Sequence, residues 1–521
     1  MSQKRNNISS LQFLLSKDGG PLYQQLYQQI VTHIQQGRLM SGDRLPGSRV
    51  LSDTLGVSRS TVVNTYDKLI AEGVLISRSK RGIYISDDAG LLLEQHKADQ
   101  EHAEPIPVQE TTPLISFNSG IDADAFPQQA WLKSMRASWR TPDPMVLGDN
   151  CPTGLPALKR AVADYLYQLR GLSCSPEQIL ITAGSRDALT LIRHALEKVE
   201  PGVFWQCENP TYPPIRELVR SWRQPEQQQA VLSVDAEGCV TPARPEQTQK
   251  KVVQKRVAQK RVTATVLTPN RQYPTGVAMS STRRQEWMNY LLQGQGWLIE
   301  DDYDNEFHYN GKSGIPLMQV DRSGRVLFVG SFSKVLFRGL RLGFIVASRE
   351  LYPLMQQSRI ELGGSAALPM QPVVAEFMQN GEFARHINRM RRHYRQKRDY
   401  LLNLCETNLS QWFDWQQPQG GMHLLIFLKP CLVVLSEIGD QPLEQVVYET
   451  MLRHKIRMQP LSGHYYHDFR PGLTGEHEAD GREIPQGFVL GFTGPDEQTL
   501  THMIETLAQT LSEVLQPDAP S

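Results

Sequence analysis

The 521-residue sequence predicts two folded parts of different class: a small helical head ending in a hairpin, and a large α/β body on a mainly parallel sheet. Three observations predict this. The 55 basic and 55 acidic residues cancel, yet residues 1–86 hold 11 Lys and Arg against 5 Asp and Glu, and residues 87–113 hold 1 against 7. Apolar residues in the first 86 positions recur at helical spacing between Gly and Pro stops. Beyond residue 114, short apolar runs alternate with helical patterns, as expected for buried strands covered by helices. No stretch approaches the ~18 consecutive apolar residues of a membrane span, and MSQKRNNISS lacks the apolar core of a signal peptide. The six cysteines, at 151, 174, 207, 239, 405 and 431, form no CxxC pair and no metal-ligand spacing. A cytoplasmic protein is expected, with no disulfide framework, no metal site and no membrane partner.

The head reads as helix, helix–turn–helix and hairpin. From Pro21 to Gln36, Leu22, Leu26, Ile30 and Ile34 recur every four residues, with Gly37 at the stop. Gly42 to Ser48, GDRLPGS, supplies a turn and a Ser cap for a short helix over Arg49 to Leu55, which Gly56 ends. Ser58 caps a third helix whose buried stripe is Val62, Tyr66 and Leu69, and Gly73 ends it. Val74–Arg78 and Ile83–Ser86 are strands around the turn S-K-R-G. This is the layout of a winged helix. In such a unit the start of the second helix of the helix–turn–helix meets base edges, while Arg and Lys neutralise phosphates. Arg59 suits a bidentate pair with guanine, and Ser58, Ser60, Thr61 and Asn64 offer short donors and acceptors. Arg49 and the wing residues Arg78, Lys80 and Arg81 suit phosphate or minor-groove contacts, and Gly82 permits the wing turn. The bland alternative is a winged helix used for protein contacts; the basic excess favours DNA. Residues 87–113, acidic and rich in Gln, Glu and Pro, read as a flexible linker.

The segments PLYQQLYQQI, GRLMSGDRLPGSRVLSDTLGVSRSTV and LIAEGVLISRSKRGIYI, within residues 20–86, resemble the GntR-type winged helix. The resemblance implies a double-stranded DNA operator as partner, contacted through Arg49, Ser58, Arg59, Ser60, Thr61 and Gly82. Asn64 stands where relatives often carry Arg.

In the body, Ile179–Thr182, Val203–Gln206, Thr265–Thr268, Trp297–Glu300, Val326–Gly330 and Gly343–Ala347 read as buried strands, with helices such as Leu155–Arg170 and Arg186–Val199 among them. The basic repeat Lys250–Val262 reads as a solvated surface element. The most informative segment is GSFSKVLFRGLRLGF, Gly330 to Phe344. A lysine after a buried strand, flanked by hydroxyls and followed by Arg, suits a pyridoxal phosphate site: the amine takes the aldehyde, and Ser and Arg hold the phosphate. WLIEDDYDNEF is a strand ending in acid, where Asp301 can keep the pyridine nitrogen protonated and Tyr303 can reach the phenolate oxygen. ITAGSRDAL is strand, Gly-Ser turn and helix, an anion seat of backbone N–H groups. ENPTYPP presents Tyr212 for stacking, and TPNRQYPTG is a turn after another strand. Each alone is more often only a turn; five in order at strand ends point to one site, because ligands of open sheets gather there.

Together these resemble the fold-type I aminotransferases over roughly residues 114–515, and head plus body resembles the MocR-type regulators. The resemblance implies a winged helix over 1–86, a linker over 87–113 and an aminotransferase-like domain over 114–521. Within that domain it implies a large part at about 150–385 and a small part from about 386–515 with the N-terminal segment. It implies pyridoxal 5'-phosphate as cofactor, with the Schiff-base lysine at Lys334, the pyridinium partner at Asp301, the phenolate partner at Tyr303 and ring stacking by Tyr212. Phosphate contacts fall on Gly184, Ser185, Ser331, Ser333 and Arg341, and a homodimer is implied. Two departures stand out. Arg186 and Asp187 follow the Gly-Ser turn where relatives usually have amides, and FVLGFT, Phe488–Thr493, lacks the Arg that holds a substrate carboxylate; Arg470 and Arg482 lie upstream. The expected function is a transcription regulator that senses pyridoxal phosphate or a small amine or amino-acid effector. The alternative is a working aminotransferase with an attached DNA-binding head.

Overall fold

The computed structural model describes residues 13–16, 20–79, 81–93, 114–222, 231–242, 262–294, 296–311, 314–364, 366–435, 441–466 and 484–515. The chain divides into two compact units, Met1–Thr111 and Thr112–Ser521. No helix among the described residues is long and apolar enough to cross a membrane.

In the first unit, α1 (Leu22–Gln35), α2 (Ser48–Leu55) and α3 (Arg59–Ala71) pack with a three-stranded antiparallel sheet. Its strands are β1 (Arg44–Leu45), β2 (Leu75–Arg78) and β3 (Gly82–Ile85), in the order β1-β3-β2. Leu26, Ile30, Val62, Tyr66 and Leu69 share the core, and the Tyr66 hydroxyl donates to Pro46 O at 2.9 Å. Ser58 caps α3 as its sequence position implies, accepting from the Thr61 N–H at 3.2 Å. Ser48 does not cap α2: that helix begins at Ser48, after Gly47, without a side-chain cap. The core also runs past Ser86, where the linker was expected to begin, because Ala89 and Leu93 are buried in it. The rest of the expected linker and Lys80 lie outside the described residues.

The second unit begins with β4 (Ile115–Ser116). Its large sheet contains β5 (Ile179–Thr182), β6 (Phe204–Asn209), β7 (Val231–Asp235), β8 (Gly238–Cys239), β9 (Thr263–Leu267), β10 (Gly296–Asp302), β11 (Val326–Ser331) and β12 (Gly343–Val346). All six strands expected from the sequence are present. They lie in the order β5-β12-β11-β10-β9-β6-β7-β8. Successive side chains on a strand point to opposite faces, so each strand here feeds two cores. Ile179, Ile181, Phe328, Phe344 and Val346 join one cluster with the helices Pro156–Tyr165 and Gln371–Gln379. Leu180, Leu327, Val329 and Ile345 join another with the helices Ser185–Val199 and Tyr352–Leu362. Burial on both faces explains why these strands read as unbroken apolar runs.

A second sheet has β13 (Phe413–Trp415), β14 (His423–Leu428) and β16 (Gly487–Gly491), antiparallel in that order and packed on the helices Glu382–Leu409 and Glu497–Leu515. β15 (Ile456–Arg457) pairs in parallel with β4. The stretch after β4 is held against the end of β16: Thr493 Oγ1 donates to Gly120 O at 2.6 Å, and the Gly494 N–H donates to Asn118 O at 3.3 Å. Ser119 lies between those anchors.

Candidate functional site

β6, β9, β10 and β11 run in parallel, and β12 is antiparallel to both β11 and β5, so β5 runs with the other four. Their C-terminal ends share one edge of the sheet, where a cavity of about 560 Å³ opens. Its walls include every cofactor-site residue expected from the sequence: Gly184, Ser185, Tyr212, Asp301, Tyr303, Ser331, Ser333, Lys334 and Arg341.

β11 ends at Ser331, whose Oγ accepts the Ser333 N–H at 3.2 Å, and Val335 and Leu336 are buried just beyond. That anchoring holds Lys334 on the cavity wall. Its Nζ donates to Ser119 O at 2.8 Å and to Ser119 Oγ at 2.9 Å. Burial first, and then the positive charge of Arg338, bring the amine down to about 8, with Asp304 pulling the other way. Asp301, from the end of β10, has no hydrogen-bond partner among the described residues; burial and the adjacent Asp302 and Asp304 carboxylates push it up to about 7. The Tyr303 hydroxyl is likewise buried without a partner. Asp304 is paired with Arg271 at 2.9 Å.

The anion seat is part of the same cavity wall. Gly184 has φ +101°, a left-handed conformation that turns the chain out of β5, and the helix Ser185–Val199 starts immediately, with its free N–H groups at the cavity. Arg341, itself at φ 50°, brings its Cζ to 4.0 Å from where a Cβ on Gly184 would stand. Asp187 serves the fold instead: it accepts the Ala183 N–H at 2.8 Å and a two-pronged pair from Arg359 at 2.6 and 3.1 Å. Arg186 is exposed on the cavity wall.

The sequence reading missed several wall residues. Tyr273, inside TPNRQYPTG, is buried with its ring centroid 5.4 Å from Tyr212, 5.8 Å from Tyr303 and 5.0 Å from His423, and its hydroxyl donates to Gln459 at 3.2 Å. An aromatic beside the turn proline was its only signal. His423, at the start of β14, donates through Nε2 to Pro274 O at 3.0 Å, and burial drops it to about 3, so it stays neutral. Ser119 and Arg338 also line the cavity. On β16, which carries no Arg, Val489 is buried with Leu425 and Leu461. Arg470, Arg482 and the basic repeat up to Arg261 lie outside the described residues.

These features fit pyridoxal phosphate. A lysine with lowered proton affinity suits capture of an aldehyde. The bare Asp301 carboxyl and the orphaned Tyr303 hydroxyl leave polar groups that a polar ring would satisfy, and the helix start with Arg341 suits a phosphate.

In the head, Arg49, Ser58, Arg59, Ser60 and Asn64 are exposed, with Thr61 half-buried. Ser58 Oγ lies 2.8 Å from both Ser60 Oγ and Thr61 Oγ1, so these hydroxyls share the cap. Arg78 and Arg81 are exposed on the wing; the Arg78 guanidinium lies 4.9 Å above the Tyr84 ring. Gly82 has φ +113°, and a Cβ there would meet Arg44 Nε at 2.9 Å. Arg44, on β1, is an exposed wing-side cation that the sequence reading passed over.

The family "Bacterial regulatory proteins, gntR family" matches residues 22–85, and "Aminotransferase class I and II" matches residues 146–471. The chain is 30% identical to the HTH-type pyridoxine biosynthesis transcriptional regulator PdxR of Corynebacterium glutamicum, over 94% of this chain and 95% of that one. It is 29% identical to the probable rhizopine catabolism regulatory protein MocR of Rhizobium meliloti, over 94% and 93%. Kynurenine aminotransferase of Pyrococcus horikoshii shares the fold, with a TM-score of 0.63 at 24% identity, covering 78% of this chain and 93% of that one. With both family patterns in order on one chain, and regulators of the same build matched along nearly their whole length, the protein belongs to the HTH-type transcriptional regulators that join a GntR winged helix to an aminotransferase class I and II domain.

Proposed function

We propose that this regulator binds operator DNA through its head and holds pyridoxal phosphate at Lys334 in its body, where the cofactor or an amine or amino-acid effector sets DNA affinity. The observation that carries the reading is the meeting of Lys334, Asp301 and Tyr303 with the Gly184–Arg341 anion seat in one cavity. When bound, pyridoxal phosphate supplies an aldehyde that primary amines capture and a ring that withdraws electrons. With its pKa near 8, Lys334 keeps a useful fraction of neutral, nucleophilic amine at neutral pH, and Ser119 orients it. Asp301 would hold a proton at the ring nitrogen, and the Tyr303 hydroxyl would meet the phenolate oxygen. Tyr212, 40% exposed at the cavity wall, would cover the ring. Gly184, Ser185, Ser331, Ser333 and Arg341 would receive the phosphate.

Regulation is favoured over turnover because β16 offers buried Val489 in place of a carboxylate clamp, which removes one means of orienting an amino acid for proton transfer. A homodimer would present two heads to repeated half-sites. The test is spectroscopic. The purified protein should show a visible band that borohydride fixes on Lys334, and Lys334→Ala should lose the band or release the cofactor on dialysis. Peptide mapping of the reduced adduct to another lysine would overturn the assignment.

A further inference from the structure

The cavity wall carries four cations: Arg186, Lys334, Arg338 and Arg341. Two have a partner in the cofactor reading above, and a third stands at the start of the helix that forms its anion seat. Lys334 takes the aldehyde, Arg341 stands beside Gly184 at the anion seat, and Arg186 is the second residue of the helix that starts there. Arg338 is left over. Its side chain is exposed on the cavity wall and forms no hydrogen bond or ion pair among the described residues. Of the two acids on the wall, Asp304 is held by Arg271, and Asp301 comes from β10 on the ring side.

Arg341 comes within 4.0 Å of where a Cβ on Gly184 would stand, and no atom of Arg338 comes as close. Arg338 opens the single 3-10 turn Arg338–Leu340, in which side chains three residues apart would eclipse. Arg341 leaves that turn at φ 50°. Arg341 goes to Gly184. Arg338 instead acts on Lys334 and Tyr273: its charge makes the Lys334 amine easier to deprotonate and pulls the Tyr273 hydroxyl the same way. Arg338 and Lys334 line the same cavity four positions apart on one loop, which puts a ligand held at Lys334 beside Arg338.

We propose that Arg338 is the specificity residue of this cavity, receiving a carboxylate on the ligand that comes to Lys334, so that the effector is an amino acid rather than a simple amine. The proposal rests on the cofactor reading. A guanidinium presents paired N–H donors that match a carboxylate, and none of the described neighbours already fills them. It also supplies, from the loop after β11, the cation that β16 lacks at Val489.

The test uses the full chain loaded with pyridoxal phosphate and three matched pairs of probes. These are L-alanine with L-alaninamide, β-alanine with β-alaninamide, and 5-aminopentanoate with 5-aminopentanamide, with concentrations expressed as neutral amine. Each is titrated against the visible band and, separately, against the thermal unfolding midpoint. At least one acid should act at about tenfold lower concentration than its amide. Arg338→Gln should abolish that preference and Arg338→Lys should keep part of it, with cofactor affinity within about twofold of the parent in both. The proposal is overturned if acid and amide act alike in the parent, if no acid acts, or if the preference survives in Arg338→Gln. A fall in cofactor affinity in Arg338→Gln would assign the residue to the phosphate and overturn it too. A parent that takes up no cofactor at Lys334 defeats the cofactor reading itself, and this proposal with it.

Discussion

Lys334 and the buried carboxyls of β6 and β10 titrate in opposite senses. Asp301, Glu208 and Glu300 are each pushed by burial to about 7, above the 3.8 to 4.5 of free carboxyls. The folded chain therefore binds more protons than the unfolded one across that interval, so their stabilising contribution is full below it and is lost as pH rises through 7. Lys334 is lowered to about 8 from 10.5; the unfolded chain holds the extra proton between those values, and its contribution recovers as pH rises through that window. The cofactor-free protein should show a melting temperature that falls from about pH 4 to 7. Asp301→Asn should make the fall shallower; a slope unchanged in that variant would mean that Asp301 ionises normally. At this scale the sequence was readable wherever a residue closes a strand. Lys334, Asp301, Tyr303 and Arg341 carry their spacing with them. Ser119 and His423 do not, because their places depend on distant approach: Ser119 is 215 residues from the amine it binds.

Among elements, the six strands covered on both faces were legible from their apolar runs, whereas β1, β7 and β8, each short or half-exposed, were not. Nor does apolarity encode direction, so nothing in VLFVGS or GFIV announced that β12 runs against its neighbours. Gly330 shows how closely those two strands pack. A Cβ there would lie 2.2 Å from Phe344 Cζ, and Phe344 is buried. Gly330→Ala should cost about 1–3 kcal/mol by overpacking, seen as a lower denaturant midpoint, and a midpoint equal to the parent's would show that the ring yields freely. On α3, Arg59→Ala should cost about 1–3 kcal/mol of operator affinity and relax specificity at one base pair. On the wing, Arg81→Ala should weaken all sequences alike and flatten the salt dependence. Equal losses on all sequences from Arg59→Ala would place that residue on phosphate instead.

For the whole molecule, the proposed function requires a coupling free energy between the cavity and the DNA-reading head. At the usual size of about 1–3 kcal/mol, loading the cavity shifts operator affinity roughly 5- to 150-fold, and operator shifts cavity affinity by the same factor. Titrating operator with cofactor-free, cofactor-loaded and amine-treated protein, then amine in the presence and absence of operator, checks that reciprocity; identical affinities in every state would leave the body without a regulatory role. Ser119 lies only five residues after Leu114, where the described body begins, and precedes every strand of the large sheet. Asn118 and Gly120 on either side of it are fastened to Gly494 and Thr493, so its backbone stays in place whatever becomes of the Lys334 amine. An occupant that claimed the amine would therefore find two fixed oxygens, the Ser119 carbonyl and hydroxyl, left without their donor and ready to accept one from the newcomer.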